Sequence, residues 1–195
     1  MKRQLLTILL TIISLLTGCG YSFQGRGQSW ERYNVEKVYI KVMTNNSLRP
    51  GVEVDFTSAL LKEFSRGRRI RLVSDPKEAD AFVEGTIEQV VSSIGPATTV
   101  SQISQEAGAQ NLSEMVIATE YVASAVVNVR LVRKKDKATL WEQRFSSNKI
   151  YPANNRFGKE GVTSTLINDS QQTLALNEIA KTIASDAYDI MLEAF

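Results

Sequence analysis

Two rhythms of apolar and polar residues run along this chain of 195 residues. Apolar side chains at every second position predict a strand with one buried face. Apolar side chains every three or four positions predict an amphipathic helix. Residues 35–43 follow the first rhythm, with Val38, Ile40 and Val42 on one face. Asn45-Asn46-Ser47 and Pro50-Gly51 then signal a turn and a helix start. Residues 51–66 follow the second rhythm: Val52, Phe56, Ala59, Leu60 and Phe64 form one stripe, and Gly67 ends it. A short strand at 70–73 stops at Ser74-Asp75-Pro76. Residues 81–91 alternate, with Ala81, Val83, Gly85, Ile87 and Val91 opposite Phe82, Glu84, Thr86 and Glu88.

Residues 95–114 break the pattern. They are polar, contain Gly and Pro, and carry only Glu106 and Glu114 as charges. They predict a long loop, a length often associated with function. Residues 117–132 predict a long strand, with Tyr121, Ala123, Ala125, Val127, Val129 and Leu131 on one face. Lys134-Lys135-Asp136-Lys137 predicts a hairpin turn, and 139–147 a return strand with Trp141, Gln143 and Phe145 alternating. A second irregular stretch is expected at 149–168. A helix over about 170–193 closes the chain. Its stripe is Leu176, Ile179, Ala180, Ile183, Ala184, Ala187, Ile190 and Met191. This order predicts an α/β (α+β) two-layer sandwich, two helices on one face of a mixed, roughly four-stranded sheet.

The beginning of the chain obeys neither rhythm. Lys2 and Arg3 precede an apolar run from Leu5 to Leu16, shorter than the ~20 residues a spanning helix needs. Leu16-Thr17-Gly18-Cys19 then forms a bacterial lipobox. An aliphatic residue and two small ones let a peptidase reach the bond before Cys19, whose thiol accepts a diacylglyceryl group. The new amine would carry a further acyl chain of the palmitate type. Residues 1–18 are thus expected to be a lipoprotein signal peptide and 19–34 an acylated tether, followed by one domain over 35–195. Several acyl chains give stable membrane attachment. Gly20, rather than the Asp that retains enterobacterial lipoproteins at the inner membrane, points to the outer membrane.

Composition sharpens this picture by exclusion. The chain has no His and one Cys, so a Ser-His-Asp triad, a Cys-His pair and His- or Cys-rich metal sites are absent from it. Lys and Arg number 23 against 21 acids, and removal of the signal takes Lys2 and Arg3, leaving the exported chain formally neutral. That balance argues against a nucleic-acid partner. No cofactor is expected beyond the covalent lipid on Cys19, and no metal.

Four segments in order carry a family resemblance. Cys19-Gly20-Tyr21-Ser22-Phe23 stands at the acylated end. Asn45-Asn46-Ser47-Leu48-Arg49-Pro50-Gly51-Val52-Glu53 follows the first strand. Glu78-Ala79-Asp80-Ala81-Phe82-Val83-Glu84-Gly85-Thr86-Ile87 opens the sheet, and Leu140-Trp141-Glu142 closes the hairpin. The chain resembles the LptE family of lipopolysaccharide-assembly lipoproteins over its whole exported length. The resemblance implies a two-layer sandwich without enzymatic activity. It implies a lipid-anchored outer-membrane protein on the periplasmic side that plugs the LptD β-barrel. It also implies help in delivering lipopolysaccharide to the outer leaflet.

Two basic clusters are the candidate contacts for lipopolysaccharide phosphates. One comprises Arg130, Arg133, Lys134, Lys135 and Lys137 at the hairpin tip. The other, weaker because a helix C-terminus favours cations anyway, comprises Arg68, Arg69 and Arg71. Solvated charge is the plain alternative for both. Competing functions would be a carboxylate-dependent envelope hydrolase, for which Glu84 and Glu88 are available, or an independent ligand-binding lipoprotein. Ser74-x-x-Lys77 and Ser146-x-x-Lys149 lack the companion motifs of acyl-enzymes. Trp141 and Phe145 are expected to pack in the core.

Overall fold

The computed structural model describes residues 35–95, 97–106, 109–118, 120–153 and 163–194. The elements are β1 (Lys37–Ile40), β2 (Thr44–Asn45), α1 (Val52–Arg66), β3 (Arg71–Leu72), β4 (Ala81–Ile94), β5 (Ala97–Glu106), β6 (Ala109–Ala118), β7 (Glu120–Arg133), β8 (Thr139–Pro152) and α2 (Thr163–Glu193). Both helices pack on one face of a mixed sheet, as expected. The sheet has six strands rather than four, in the order β3-β1-β4-β7-β8 with β2 also paired to β4. Beyond the four longer strands are the two-residue pieces β2 and β3; β3 falls within the short strand expected at 70–73, and β2 is too short for a period-two signal. β1, β2 and β3 run parallel to their neighbours, whereas β7 and β8 are antiparallel to theirs.

Alternation sets which side chains meet the helices. On β7, Ala123, Ala125, Val127, Val129 and Leu131 are completely buried. Opposite them on β4, Val83 faces Leu131, Gly85 faces Val129, Ile87 faces Val127 and Val90 faces Ala125. Two expected positions fail, each for a one-residue reason. Ile40 faces Val83 while Thr44 faces Thr86, so this edge holds one residue more than β4 over the same span. The extra residue reverses the alternation: Met43 turns inward and Val42 is 70% exposed. On β4 the register shifts between Ile87 and Gln89, so Val90 is buried and Val91 is not.

The irregular stretch expected at 95–114 is instead an antiparallel ribbon of β5 and β6. Its register continues that of β4 and β7 without a slip. Ile94 faces Tyr121, Ala97 faces Ala118, and the pairing runs on to Glu106 opposite Ala109. Ten residues of ribbon extend about 33 Å. Among the described residues no third strand joins it. The second expected irregular stretch is also shorter than read: β8 continues to Pro152 and α2 begins at Thr163. Tyr151, near the end of β8, is buried, stacks on Tyr121, and its hydroxyl lies 2.6 Å from that of Ser92.

The two helices run parallel. Near their N-termini Arg49 donates to Gln172, Asp169 and Thr173. Near their C-termini the Phe64 and Tyr188 rings meet edge-on at 5.0 Å. Gly51 precedes α1 with φ +89°, a backbone that glycine adopts without steric cost. The Asn45 amide donates to the Arg49 carbonyl and to Glu53, which is held below its ordinary pKa mainly by main-chain hydrogen bonding and then by this amide. Thr57 is buried because its hydroxyl donates to the Glu53 carbonyl and accepts the Met43 N–H, tying helix to sheet edge. On α2 the expected stripe is buried except Ile190, 39% exposed; Ala175 and Tyr188 join the core in its place.

Among the described residues the opposite face of the sheet has no helical cover, and it carries charge in pairs. Glu84 lies 2.6 Å from both Lys41 and Arg130, and Arg144 lies 2.8 Å from Glu88. The Lys41 hydrogen bond, with help from Arg130, holds Glu84 below the ordinary 4.5 despite its partial burial.

Two outcomes follow from this packing. A Cβ at Gly67 would lie 1.9 Å from the Tyr188 hydroxyl oxygen and 2.3 Å from the ring carbon bearing it. Gly67→Ala is therefore expected to cost about 1–3 kcal/mol in denaturant unfolding. Glu84 has a depressed folded pKa, so its contribution is present above the unfolded-state value and lost as pH falls through the folded one. Its partners are about half exposed, so Glu84→Gln should cost only about 0.5–1 kcal/mol at neutral pH. The difference from the parent should shrink in unfolding curves taken below about pH 4.5.

Candidate functional site

The register of the sheet brings the two basic clusters to one end. Lys37 on β1 faces Arg71 on β3, Val38 faces Ala81 on β4, and Ala81 faces Arg133 on β7. Four neighbouring strands at about 4.8 Å spacing therefore place Arg71 and Arg133 roughly 14 Å apart. Arg68 and Arg69 lie in the bend between α1 and β3 at this same end. In sequence the clusters are 59 residues apart at their nearest, from Arg71 to Arg130, and nothing in either one announces the other.

Within the hairpin cluster the five candidates differ in their state. Arg130 is not at the tip; it lies on the open sheet face, donating to Glu84. Arg133 pairs with Asp136 at 2.9 Å. That pair, after an Ala138 main-chain hydrogen bond, depresses the Asp136 pKa. Lys134 donates from its ammonium to the Lys77 carbonyl, and from its main chain to the Asp80 carbonyl. Lys137 takes φ +60° to close the turn and sits 5.4 Å from the centre of the Phe82 ring. Lys135 is exposed with no ion pair among the described residues. Arg68, Arg69 and Arg71 are exposed in the same way, and the Arg69 main chain hydrogen-bonds Tyr188.

Sequence reasoning missed Lys37 and Lys77, which complete the basic end. The Lys77 carbonyl accepts from Lys134, and Lys37 sits next to Asp80, whose carboxylate accepts the main-chain N–H groups of Glu36 at 3.1 Å and Lys37 at 2.8 Å. That clamp holds the start of the domain, and hence the point where the N-terminal segment joins it, at the basic end. Cys19 lies outside the described residues.

The carboxylates considered for hydrolysis are engaged elsewhere. Glu84 and Glu88 are both ion-paired on an open sheet face, not set in a cleft. A groove of about 380 Å³ runs between the helices. It is lined by Ala59 and Leu174 and flanked by Glu178, which Lys181 pairs at 2.6 Å. Lys181 also depresses the Glu178 pKa, the reverse of a general acid. Among the described residues no three His, Cys, Asp or Glu side chains could hold a metal, and no helix is long and apolar enough to cross a membrane. Trp141 and Phe145 pack together at 6.2 Å, Phe145 in the core and Trp141 at its margin.

Comparison with known proteins adds the family. No curated protein sequence matches. Among solved structures, a Xanthomonas campestris protein aligns at 8% identity and TM-score 0.49, over 81% of this chain and 84% of its own. The lipoprotein GNA1162 of Neisseria meningitidis aligns at 12% and 0.37, over 71% and 97%. A minor lipoprotein of Acinetobacter baumannii aligns at 9% and 0.41, over 77% and 88%. Likenesses at this level carry no functional argument. The family model described as "LptE: Lipopolysaccharide-assembly" matches residues 35–190, nearly the whole described domain. The chain belongs to the LptE family of lipopolysaccharide-assembly proteins.

Proposed function

We propose that this chain is a non-catalytic outer-membrane lipoprotein, acylated at Cys19, that plugs and supports an LptD-type β-barrel and helps pass lipopolysaccharide to the outer leaflet. The family match over residues 35–190 carries this reading. Three features of the domain support it. The charges on the open sheet face are paired, which lowers the cost of enclosing that face in a polar lumen. The β5–β6 ribbon offers main-chain hydrogen-bonding edges beyond the sheet. The exposed cations at the basic end suit phosphate groups of lipid A and the inner core. Of the candidates, Lys135 and Lys137 are the best placed, with Arg68, Arg69 and Arg71 beside them. Arg130, Arg133 and Lys134 already serve the fold and act as its supports.

Affinity purification of the tagged protein from outer membranes should recover a large β-barrel partner. Depletion should remove lipopolysaccharide from the cell surface and leave it in the periplasm. Cys19→Ser should release the protein from the membrane fraction. Recovery as a free periplasmic monomer, with lipopolysaccharide still reaching the surface after depletion, would overturn the proposal.

A further inference from the structure

We infer that the outer edge of β8 is a pairing site for an extended segment of the enclosing barrel's own chain, which adds to the sheet as a further strand. The inference rests on the enclosure proposed above and names a main-chain contact through which it is made.

Three hydrogen bonds fix the main-chain directions at this edge. The Glu120 carbonyl accepts the Gly95 N–H, and the Lys134 N–H donates to Asp80, so even-numbered residues of β7 turn their main-chain groups towards β4. The Arg133 N–H donates to Ala138 across the hairpin, so odd-numbered residues turn towards β8. Opposite those odd residues stand Trp141, Gln143, Phe145, Ser147, Lys149 and Tyr151. Opposed residues of this kind exchange both of their hydrogen bonds, and the direction alternates along the strand. Glu142, Arg144, Ser146, Asn148 and Ile150 therefore point their N–H and C=O groups away from the sheet. Among the described residues no strand or main-chain group takes them up.

A long free edge is a template for pairing, and proteins ordinarily blunt it. The opposite edge of this sheet is β3, of two residues. On β8 the blunting devices stand at the two ends. A register shift lies beside Leu140, and Pro152, which has no N–H, ends the strand. The stretch between them, Trp141 to Tyr151, is roughly 35 Å long. Its open-face charges are drawn back over the sheet: Glu142 accepts from the Asn128 amide, and Arg144 reaches Glu88 on β4 at 2.8 Å. From Phe145 to Tyr151 the one charge is Lys149, which alternation places on the helix side with those two rings. Beside this half of the edge the open face is uncharged. Ser93 faces Val122 and Val122 faces Ile150; Val91 faces Ser124 and Ser124 faces Asn148. Ile150 is 55% exposed and Val91 42%.

A row of outward N–H and C=O groups is matched by another extended main chain. The side chains of that segment on the open face meet Ile150 and Asn148 at one end and Arg144 at the other, so apolar or small residues suit the first and a polar one the second. The wall of a closed barrel has no free strand edge to offer. The segment is therefore a lumen-facing loop or terminus of the barrel chain.

The test uses the full acylated chain in detergent, alone and with the β-barrel that co-purifies with it. Proline at an outward position removes one outward N–H and leaves the ladder to β7 intact. A combined Ser146→Pro and Asn148→Pro variant should recover about tenfold less barrel than the parent, through two lost main-chain hydrogen bonds. The combined Ser146→Ala and Asn148→Ala variant keeps both N–H groups and should recover as much barrel as the parent. Amide hydrogen exchange of the parent decides the matter even if the proline variant fails to fold. The N–H groups of Glu142, Arg144, Ser146, Asn148 and Ile150 should exchange on the order of tenfold or more slowly in the complex than in the chain alone. Undiminished recovery with a folded proline variant, or an equal loss with the alanine variant, overturns the inference. Slow exchange of these amides in a dimer of the chain without barrel assigns the edge to a second copy and overturns it as well. If the parent recovers no barrel, the enclosure falls, and this inference with it. Barrel recovered with the five amides unslowed overturns this inference alone.

Discussion

The antiparallel pairing of β4 with β7 is the constraint on which the other elements depend. It begins at Ala81 opposite Arg133 and reaches Ile94 opposite Tyr121, with one shift beside Glu88. Because side chains alternate at every residue, this register decides which of them form the core under α1 and α2 and which face outward. It places the small residues Ala123 and Ala125, with Val127, under α2. It also brings Glu84 beside Arg130 on the other face. β1 docks on β4 through Lys41 and Val83, and β8 docks on β7 from Thr139 to Pro152. Each later contact inherits the choice of face made by this pair.

The same pairing sorts charge along the molecule. Where β4 begins and β7 ends, Lys37, Arg71, Lys77 and the hairpin cations gather. Where β4 ends and β7 begins, these two strands carry only Glu120, while Lys149 on β8 lies opposite Ala123. Between them lies a band of paired residues, Lys41–Glu84–Arg130 and Glu88–Arg144. Exposed pairs of this kind add little stability. Their effect is to neutralise the middle of the open face.

Much of this was legible in the sequence. The fully buried face of β7 and the stripes of both helices are strong periodic signals, and they yielded the layer architecture. The failures share a cause: information held by a partner strand. Met43 displaces Val42, and Val90 displaces Val91, because a single inserted residue reverses alternation, and an insertion is visible only against the neighbouring strand. In sequence the ribbon looks like a loop because Thr, Ser and Gln alternate with few large apolar residues, so no buried face shows. Its register is dictated by β4 and β7 instead. The meeting of Arg68, Arg69 and Arg71 with the hairpin cations is likewise a consequence of β3 pairing beside β1, through two residues. Cys19 is the opposite case, a local motif that needs no partner to be recognised.

The ribbon is the element whose existence most needs a physical reason. An isolated two-stranded hairpin is marginal in water, since it orders many residues for a single ladder of hydrogen bonds. Here the ladder is not isolated. Ile94 and Tyr121 are already opposed when Ala97 meets Ala118, so the ribbon propagates an established register and avoids the cost of nucleating one. The Gly95 N–H donates to the Glu120 carbonyl at the junction, keeping the ladder continuous there. What propagation does not provide is cover for the outer edges of β5 and β6, which have no strand neighbour among the described residues. An enclosing partner with polar groups on its inner wall would supply that cover. A free chain in water would leave those edges to solvent. The element least supported within the domain is therefore the one with most to gain from enclosure, and it lies at the end farthest from where the N-terminal segment joins.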